Sequence, residues 1–301
     1  MSEQTNVTSA NISSSPKAAD RVGGVNKLIK DIIIYILLTI GALFYLVPFF
    51  MVIINSFKQK KDIIKAPMDL IGASGMSIDN YGKAFKQMEF MKAFGNSLFI
   101  TGLSTLAVIV LSSMVAYYIV RANTNLAKVI FALMISSMII PFQSIMIPLV
   151  SIYGANLGLL NHRLSLIFMH TGFAMSMSVF MYAGFLKSGV PKSLEEAAYI
   201  DGCTKMQTFR MIVFPLLKPT TATLVILNAM QFWNDYLLPS LVLGKKPLYT
   251  LPLSTYSFYG TYSSDYGLIM AALVLTLLPI LILYFFLQKQ IIAGMVAGAV
   301  K

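Results

Sequence analysis

The sequence predicts an all-α integral membrane protein, and three observations carry that reading. Only 12% of its 301 residues are charged and mean hydropathy is +0.74, whereas soluble domains carry about 25% charged residues. Six segments, 32–54, 98–120, 129–150, 164–185, 219–242 and 268–287, reach the roughly 20 residues a helix needs to cross the hydrocarbon core. None of the six contains Lys or Arg. A soluble core of this size could not hide so much apolar surface.

Residues 1–25 are rich in Ser, Asn and Thr. They lack the short apolar region and small-residue cleavage site of a signal peptide, and read as a disordered cytoplasmic tail. Residues 26–301 then form one transmembrane domain. The segment 55–96 is too long for a hairpin, and Ser77, Asp79 and Asn80 can cap a short helix through Phe85 and Phe90. As an outer element it either meets a partner or lies on the membrane surface. Pro141 and Pro148 predict a kinked third span, since proline removes a helix hydrogen bond and membrane helices tolerate this where neighbours satisfy the freed carbonyl. The segment 188–218 is the long inner connection between spans four and five.

Basic residues orient the spans. With the N-terminus inside, inner segments hold thirteen Lys and Arg and outer loops ten. The narrow margin comes from the seven lysines of 55–96. Both termini are expected to be cytoplasmic. The net charge of +11 is spread in short runs between apolar spans, so it does not indicate nucleic acid. One cysteine, Cys203, excludes an intrachain disulfide. With His162 and His170 as the other soft ligands, no metal site is expected.

Polar side chains at membrane depth are costly and usually face the bundle interior or a water-filled path. On a continuous fifth helix, Asn228, Gln231 and Asp235 share one narrow face at about 100° per residue, with Asn234 at its border. This face lines a pathway that hydrogen-bonds a substrate, or it holds the bundle together by interhelical bonds. Gln143, Ser144 and His170 are candidates of the same kind. The many methionines read as adaptable packing.

The inner connection between spans four and five has its own pattern. Ser193-x-x-Glu196 is a capping box, predicting a helix that starts at Ser193. Glu195 and Glu196 lie in its first turn, where the helix dipole favours negative charge. Gly202 can take the left-handed conformation that stops a helix, and Thr204-x-x-Gln207 offers a second capping box. Ala197 and Ala198 keep one surface thin enough for another protein to approach closely.

Glu196-Ala197-Ala198-x-x-Asp201-Gly202, followed by Phe209, Pro215 and Pro219, resembles the signature loop of bacterial binding-protein-dependent ABC importer permeases. Cys203 stands where the family usually has Ala, and Phe214 where Leu is common. The resemblance runs from Ile32 onward and is closest to the carbohydrate-uptake branch, in its maltose-type six-span subunit. Asn80-Tyr81, Asn96-Ser97, Pro141, Gly158-Leu159, the run from Gln231 to Pro239, and the tail Gly294-x-x-Ala-Gly-Ala-Val-Lys301 carry it, without the family's closing Gly.

That resemblance implies a type I permease fold with a cytoplasmic coupling helix at 193–201. It implies a homologous sister permease, two copies of a cytoplasmic ATPase and an extracellular solute-binding protein. The contact residues would be Ser193, Glu195, Glu196, Ala197, Ala198, Asp201 and Gly202, and the C-terminal tail could reach between the ATPase subunits. The chain has no phosphate loop of its own, since Gly244-Lys245 lacks the upstream glycine. It is therefore expected not to be an enzyme, with ATP and Mg used by the partner. The expected cargo is an oligosaccharide, of the raffinose type by general similarity. An ion-driven secondary transporter is the alternative. It would use acidic residues buried within spans, and Asp235 is the single one. A membrane enzyme ranks last, because no acid/base pair or nucleophile–base set is visible.

Overall fold

The computed structural model describes residues 25–258 and 265–299, with the side chains of 27–258, 265–282, 284 and 285. Residues 1–24 of the expected tail, and Val300 and Lys301, lie outside the described residues. The described chain is helical with no strand. Two units are distinguished, residues 1–51 and 52–301. The first holds most of α1 (Val25–Ser56), 32 residues with Pro48 inside. At 1.5 Å per residue that is about 48 Å, against a hydrocarbon core of about 30 Å. Apolar residues occupy every side of it, as in a membrane span.

In the second unit, α4 (Phe90–Ala122) and α7 (Arg163–Gly189) are long apolar helices packed side by side. They run parallel. Asn96 and Arg163 meet at one end, and Arg121 meets Val190 at the other. Small residues are buried on both helices, Ser112 and Ala116 on α4 and Ala174, Ser178 and Ala183 on α7. Such residues let helix backbones approach closely where lipid removes the hydrophobic drive to associate.

Between this pair the chain returns through α5 (Asn125–Ser137) and α6 (Phe142–Val150), which differ in direction by 98° once the π-helical turn Ser151–Asn156 is included. The expected kink is therefore a full break. Pro141 has no N–H to continue α5 and sits extended as the N-cap of α6, while Pro148 is carried inside α6.

The segment 55–96 folds as expected, with different bounds. Helix α2 (Lys60–Lys65) precedes α3 (Asp79–Gln87), and Glu89, with φ 50°, turns the chain into α4. Ser77 Oγ accepts from the Asp79 N–H at 3.1 Å, but Ile78 occupies the N-cap. Asn80 donates to the carbonyls of Ser56 and Lys58, and Tyr81 Oη pairs with Ser56 Oγ at 2.7 Å. Gly267 faces the same spot: a Cβ there would lie 2.6 Å from the Lys58 carbonyl. Lys58 itself is fully buried, its ammonium held by the carbonyls of Ala66 and Pro67.

After α7 come α8 (Lys192–Ile200), α9 (Lys205–Thr208), a π-helical turn Phe209–Val213, α10 (Phe214–Leu216) and α11 (Lys218–Asn234). The chain bends by 76° between Lys205–Leu216 and Lys218–Asn234. The expected fifth helix over 219–242 is interrupted. It stops at Asn234, Asp235 is extended, and α12 (Leu237–Val242) resumes it. Pro239 explains the interruption, because it lacks the N–H that would bond the Asp235 carbonyl and its ring crowds that group. A short α13 (Leu251–Ser254) then leads by way of 255–265 to α14 (Tyr266–Ala299), which packs on α11 and α3. Among the described residues, three unbroken helices are long and apolar enough to span a membrane, and each bent pair passes the same test when taken together.

Candidate functional site

Helix α8 is short, and what positions it is its own sequence plus two side chains of α4. Pro191, extended at ψ 135°, is its N-cap and Lys192 its first residue. The expected capping box at Ser193 is not formed. Ser193 is already inside the helix, whereas an N-cap must be extended for its oxygen to reach back. At the other end Asp201 is the C-cap and Gly202 has φ +82°. The Gly202 N–H bonds Tyr199 O at 3.1 Å and the Cys203 N–H bonds Ala198 O at 2.9 Å. That pair of bonds is a Schellman motif, so Gly202 stops the helix as expected. The second capping box is complete: the Thr204 N–H donates to Gln207 Oε1 at 2.8 Å and the Gln207 N–H to Thr204 Oγ1 at 3.3 Å.

Helical periodicity splits the two glutamates. Glu195 and Ala198, three apart, are buried against the body. Ser193, Glu196, Ala197 and Ile200 are exposed, Ile200 at 86%. The thin face expected from two alanines is thus divided: Ala198 lets α8 approach its own bundle, and Ala197 faces outward.

Glu195 is held by residues that the sequence did not single out. Arg121, in the last turn of α4, donates to Glu195 Oε1 from Nε at 2.7 Å and from Nη2 at 2.6 Å. The same Nη2 donates to the Val190 carbonyl at 2.9 Å. Tyr117, one turn earlier, donates to Glu195 Oε2 at 3.0 Å. The side chains of Arg121 and Glu195 are 14% and 6% exposed. Breaking a buried pair by removing one partner costs about 3–5 kcal/mol. Beside it lies a groove of about 430 Å³ lined by Tyr117, Tyr118, Arg121, Tyr199, Met206 and Phe209 among others. No signal in the sequence joins Arg121 to Glu195, 74 positions apart; a basic residue at a span end reads only as an orientation mark.

The expected polar face of span five is not one face. Because α11 ends at Asn234, the helical spacing does not extend to Asp235. Asp235 Oδ2 lies 2.9 Å from His170 Nε2 on α7, and its Oδ1 accepts from the Leu238 N–H at 3.3 Å, capping α12. His170 is buried and stacks on Phe232 at 4.6 Å. Asn228 is also buried, donating to Ser178 Oγ and to Leu224 O. Gln231 and Asn234 are exposed, the Asn234 amide turned to Met230 O, and Gln143 is exposed on the first turn of α6. The structure joins His170 to Asp235, while the hydrogen bond of the Asn234 side chain goes to Met230 O and not to either of them.

At the end of the bundle away from α8, Asn96 ties three elements. Its Nδ2 donates to the carbonyls of Pro247 and Tyr249, each at 3.0 Å, and its Oδ1 accepts from Arg163 at 3.1 Å. Ser97 Oγ accepts the Leu251 N–H at 2.7 Å.

The described residues thus form broken and unbroken apolar helices, with a short exposed helix clamped at one end. The fold matches a chain of a bacterial ABC transporter that imports the acidic polysaccharide alginate, with TM-score 0.74 and 20% identity over 88% of this chain and 97% of that one. Sequence carries the assignment further. The family described as binding-protein-dependent transport system inner membrane component matches residues 108–296. The chain is 41% identical to the probable starch degradation products transport system permease protein AmyC of Thermoanaerobacterium thermosulfurigenes, over 89% of this chain and 97% of that protein. It is 38% identical to the melibiose/raffinose/stachyose import permease protein MelC of Bacillus subtilis, over 89% and 96%. The chain belongs to this family of inner membrane transport components.

Proposed function

We propose that the chain is one membrane-spanning subunit of an ATP-driven importer for oligosaccharides, driven by a separate ATPase through α8. The observation that carries this is the division of α8: one face is clamped to the bundle by Arg121, and the other offers Ser193, Glu196 and Ala197 to a partner. On this reading there are six spans, made by α1, α4, α5 with α6, α7, α11 with α12, and α14. Both termini and α8 lie on the cytoplasmic side of the cell membrane. The Asn96 end, with the segment 55–96, faces outward towards a solute-binding protein. A homologous sister permease completes the pathway, and two ATPase copies supply ATP and Mg chemistry. ATP-driven closure of the ATPases moves α8 and switches the bundle between inward- and outward-facing states, a rigid-body solution common among transporters.

The relatives' names support a sugar as cargo, and MelC supports the raffinose-type reading in particular. Within this chain the exposed amides of Gln143 and Gln231, and the Oδ1 of Asn234, whose Nδ2 is bonded to Met230 O, are placed to meet sugar hydroxyls. His170, Asp235 and Asn228 hold the broken span beside them. The test is uptake of labelled raffinose or a related oligosaccharide by vesicles containing the whole importer. Uptake that needs ATP and binding protein, and persists without an ion gradient, supports the proposal. Uptake driven by an ion gradient without ATP would establish the secondary-transporter alternative.

A further inference from the structure

We infer that Arg121 is a positioning residue that locks α8 to the end of α4, so that movement of α8 passes directly to α4 as well as along the chain. The inference rests on the coupling role proposed for α8. Covalently, α8 has two neighbours, α7 through Val190 and Pro191, and α11 through 201–217. Helix α4 is remote in sequence, yet it makes the polar contacts that orient α8.

The geometry is that of a clamp across a joint. The α7–α8 joint lies at Val190 and Pro191, where the backbone leaves helical geometry, with Val190 at φ −124° and ψ 97°. Arg121 Nη2 bonds the Val190 carbonyl on the joint and, with Nε, the Glu195 carboxylate beyond it. Tyr117 takes the other carboxylate oxygen. Both oxygens of Glu195 are therefore used, and its carboxylate is fixed in direction as well as in place. A planar guanidinium can serve both acceptors at once, whereas an ammonium is a single point charge without that fork. The pair is poorly exposed to solvent and so weakly screened by salt. A buried ion pair is weak evidence for stability in itself, since well-packed apolar residues often do as well. Holding α8 in one orientation is the role an apolar contact would not fill.

The experiment uses the complete importer in proteoliposomes, with three readouts: recovery of assembled complex, ATP hydrolysis, and sugar taken up per ATP hydrolysed. Arg121→Lys is expected to assemble and hydrolyse ATP near the wild-type rate, while uptake per ATP falls about tenfold, within the range of a typical coupling free energy between two sites. A second arm places Arg121→Cys with Glu195→Cys in a Cys203→Ser background. A short thiol cross-linker is expected to restore uptake per ATP, and its reductive cleavage to abolish it again. If Arg121→Lys lowers uptake only in proportion to complex recovery, or cross-linking restores nothing, the clamp is overturned. Ala197→Arg, on the outward face of α8, separates this result from the coupling role. If Ala197→Arg abolishes uptake while Arg121→Lys preserves uptake per ATP, the coupling role stands and the clamp falls. If Ala197→Arg has no effect, both fall.

Discussion

Replacing Gly202 tests whether α8 must stop where it does. Gly202 sits at φ +82° and closes the Schellman motif through its own N–H and that of Cys203. A Cβ built there meets nothing within 4 Å, so substitution causes no clash within this chain. What remains is the left-handed backbone, which costs a residue with a side chain about 1–2 kcal/mol. Asn and Asp visit that region more readily than other residues, and β-branched residues least. Uptake and the melting temperature of the purified complex should therefore fall in the order Gly202→Asn, Gly202→Ala, Gly202→Val, with assembly largely kept. Gly202→Asp adds a carboxylate beside Asp201, so it should lose more uptake than melting temperature, and more uptake than Gly202→Asn. The assay is sugar uptake in proteoliposomes alongside a thermal melt. Equal loss from Asn and Val would refute the argument, because backbone conformation would then not be what Gly202 supplies.

Two further outcomes follow from the polar contacts. Asp235→Leu removes both the partner of His170 and the cap of α12; leaving a buried polar group unsatisfied costs about 1–3 kcal/mol, so the complex should melt lower, with Asp235→Asn milder. Asn96→Ala orphans the carbonyls of Pro247 and Tyr249 and frees Arg163. A similar loss of about 1–3 kcal/mol is expected, visible as faster proteolysis of the segment around 245–251.

How far the sequence reaches can be traced residue by residue. Span lengths reveal α1, α4 and α7, since the number of consecutive apolar residues is a local property. The stop at Gly202 and the capping box at Thr204 are local too, and both are found where the pattern puts them. Pro141 announces a disturbance, but the 98° break depends on what packs against the two halves. The interruption at Asp235 was written in Pro239, four positions on. A continuous helix over 219–242 would place Asp235 beside Asn228 and Gln231, whereas the break turns it to His170 and Leu238. Capping at Ser193 failed because Pro191 starts the helix earlier. The partners of Glu195, His170 and Asn228 were not legible, because each contact joins helices far apart in sequence and depends on how α4, α7 and α11 pack.

The coupling role proposed for α8 requires its outward face to meet the ATPase. Site-directed cross-linking of the assembled importer reads this directly, using single cysteines in a Cys203→Ser background. Ala197→Cys and Ser193→Cys should yield an adduct of this chain with the ATPase subunit, and Ala198→Cys, buried against the bundle, should yield little. Absence of any ATPase adduct from the outward positions, or equal adducts from Ala197→Cys and Ala198→Cys, would contradict the account.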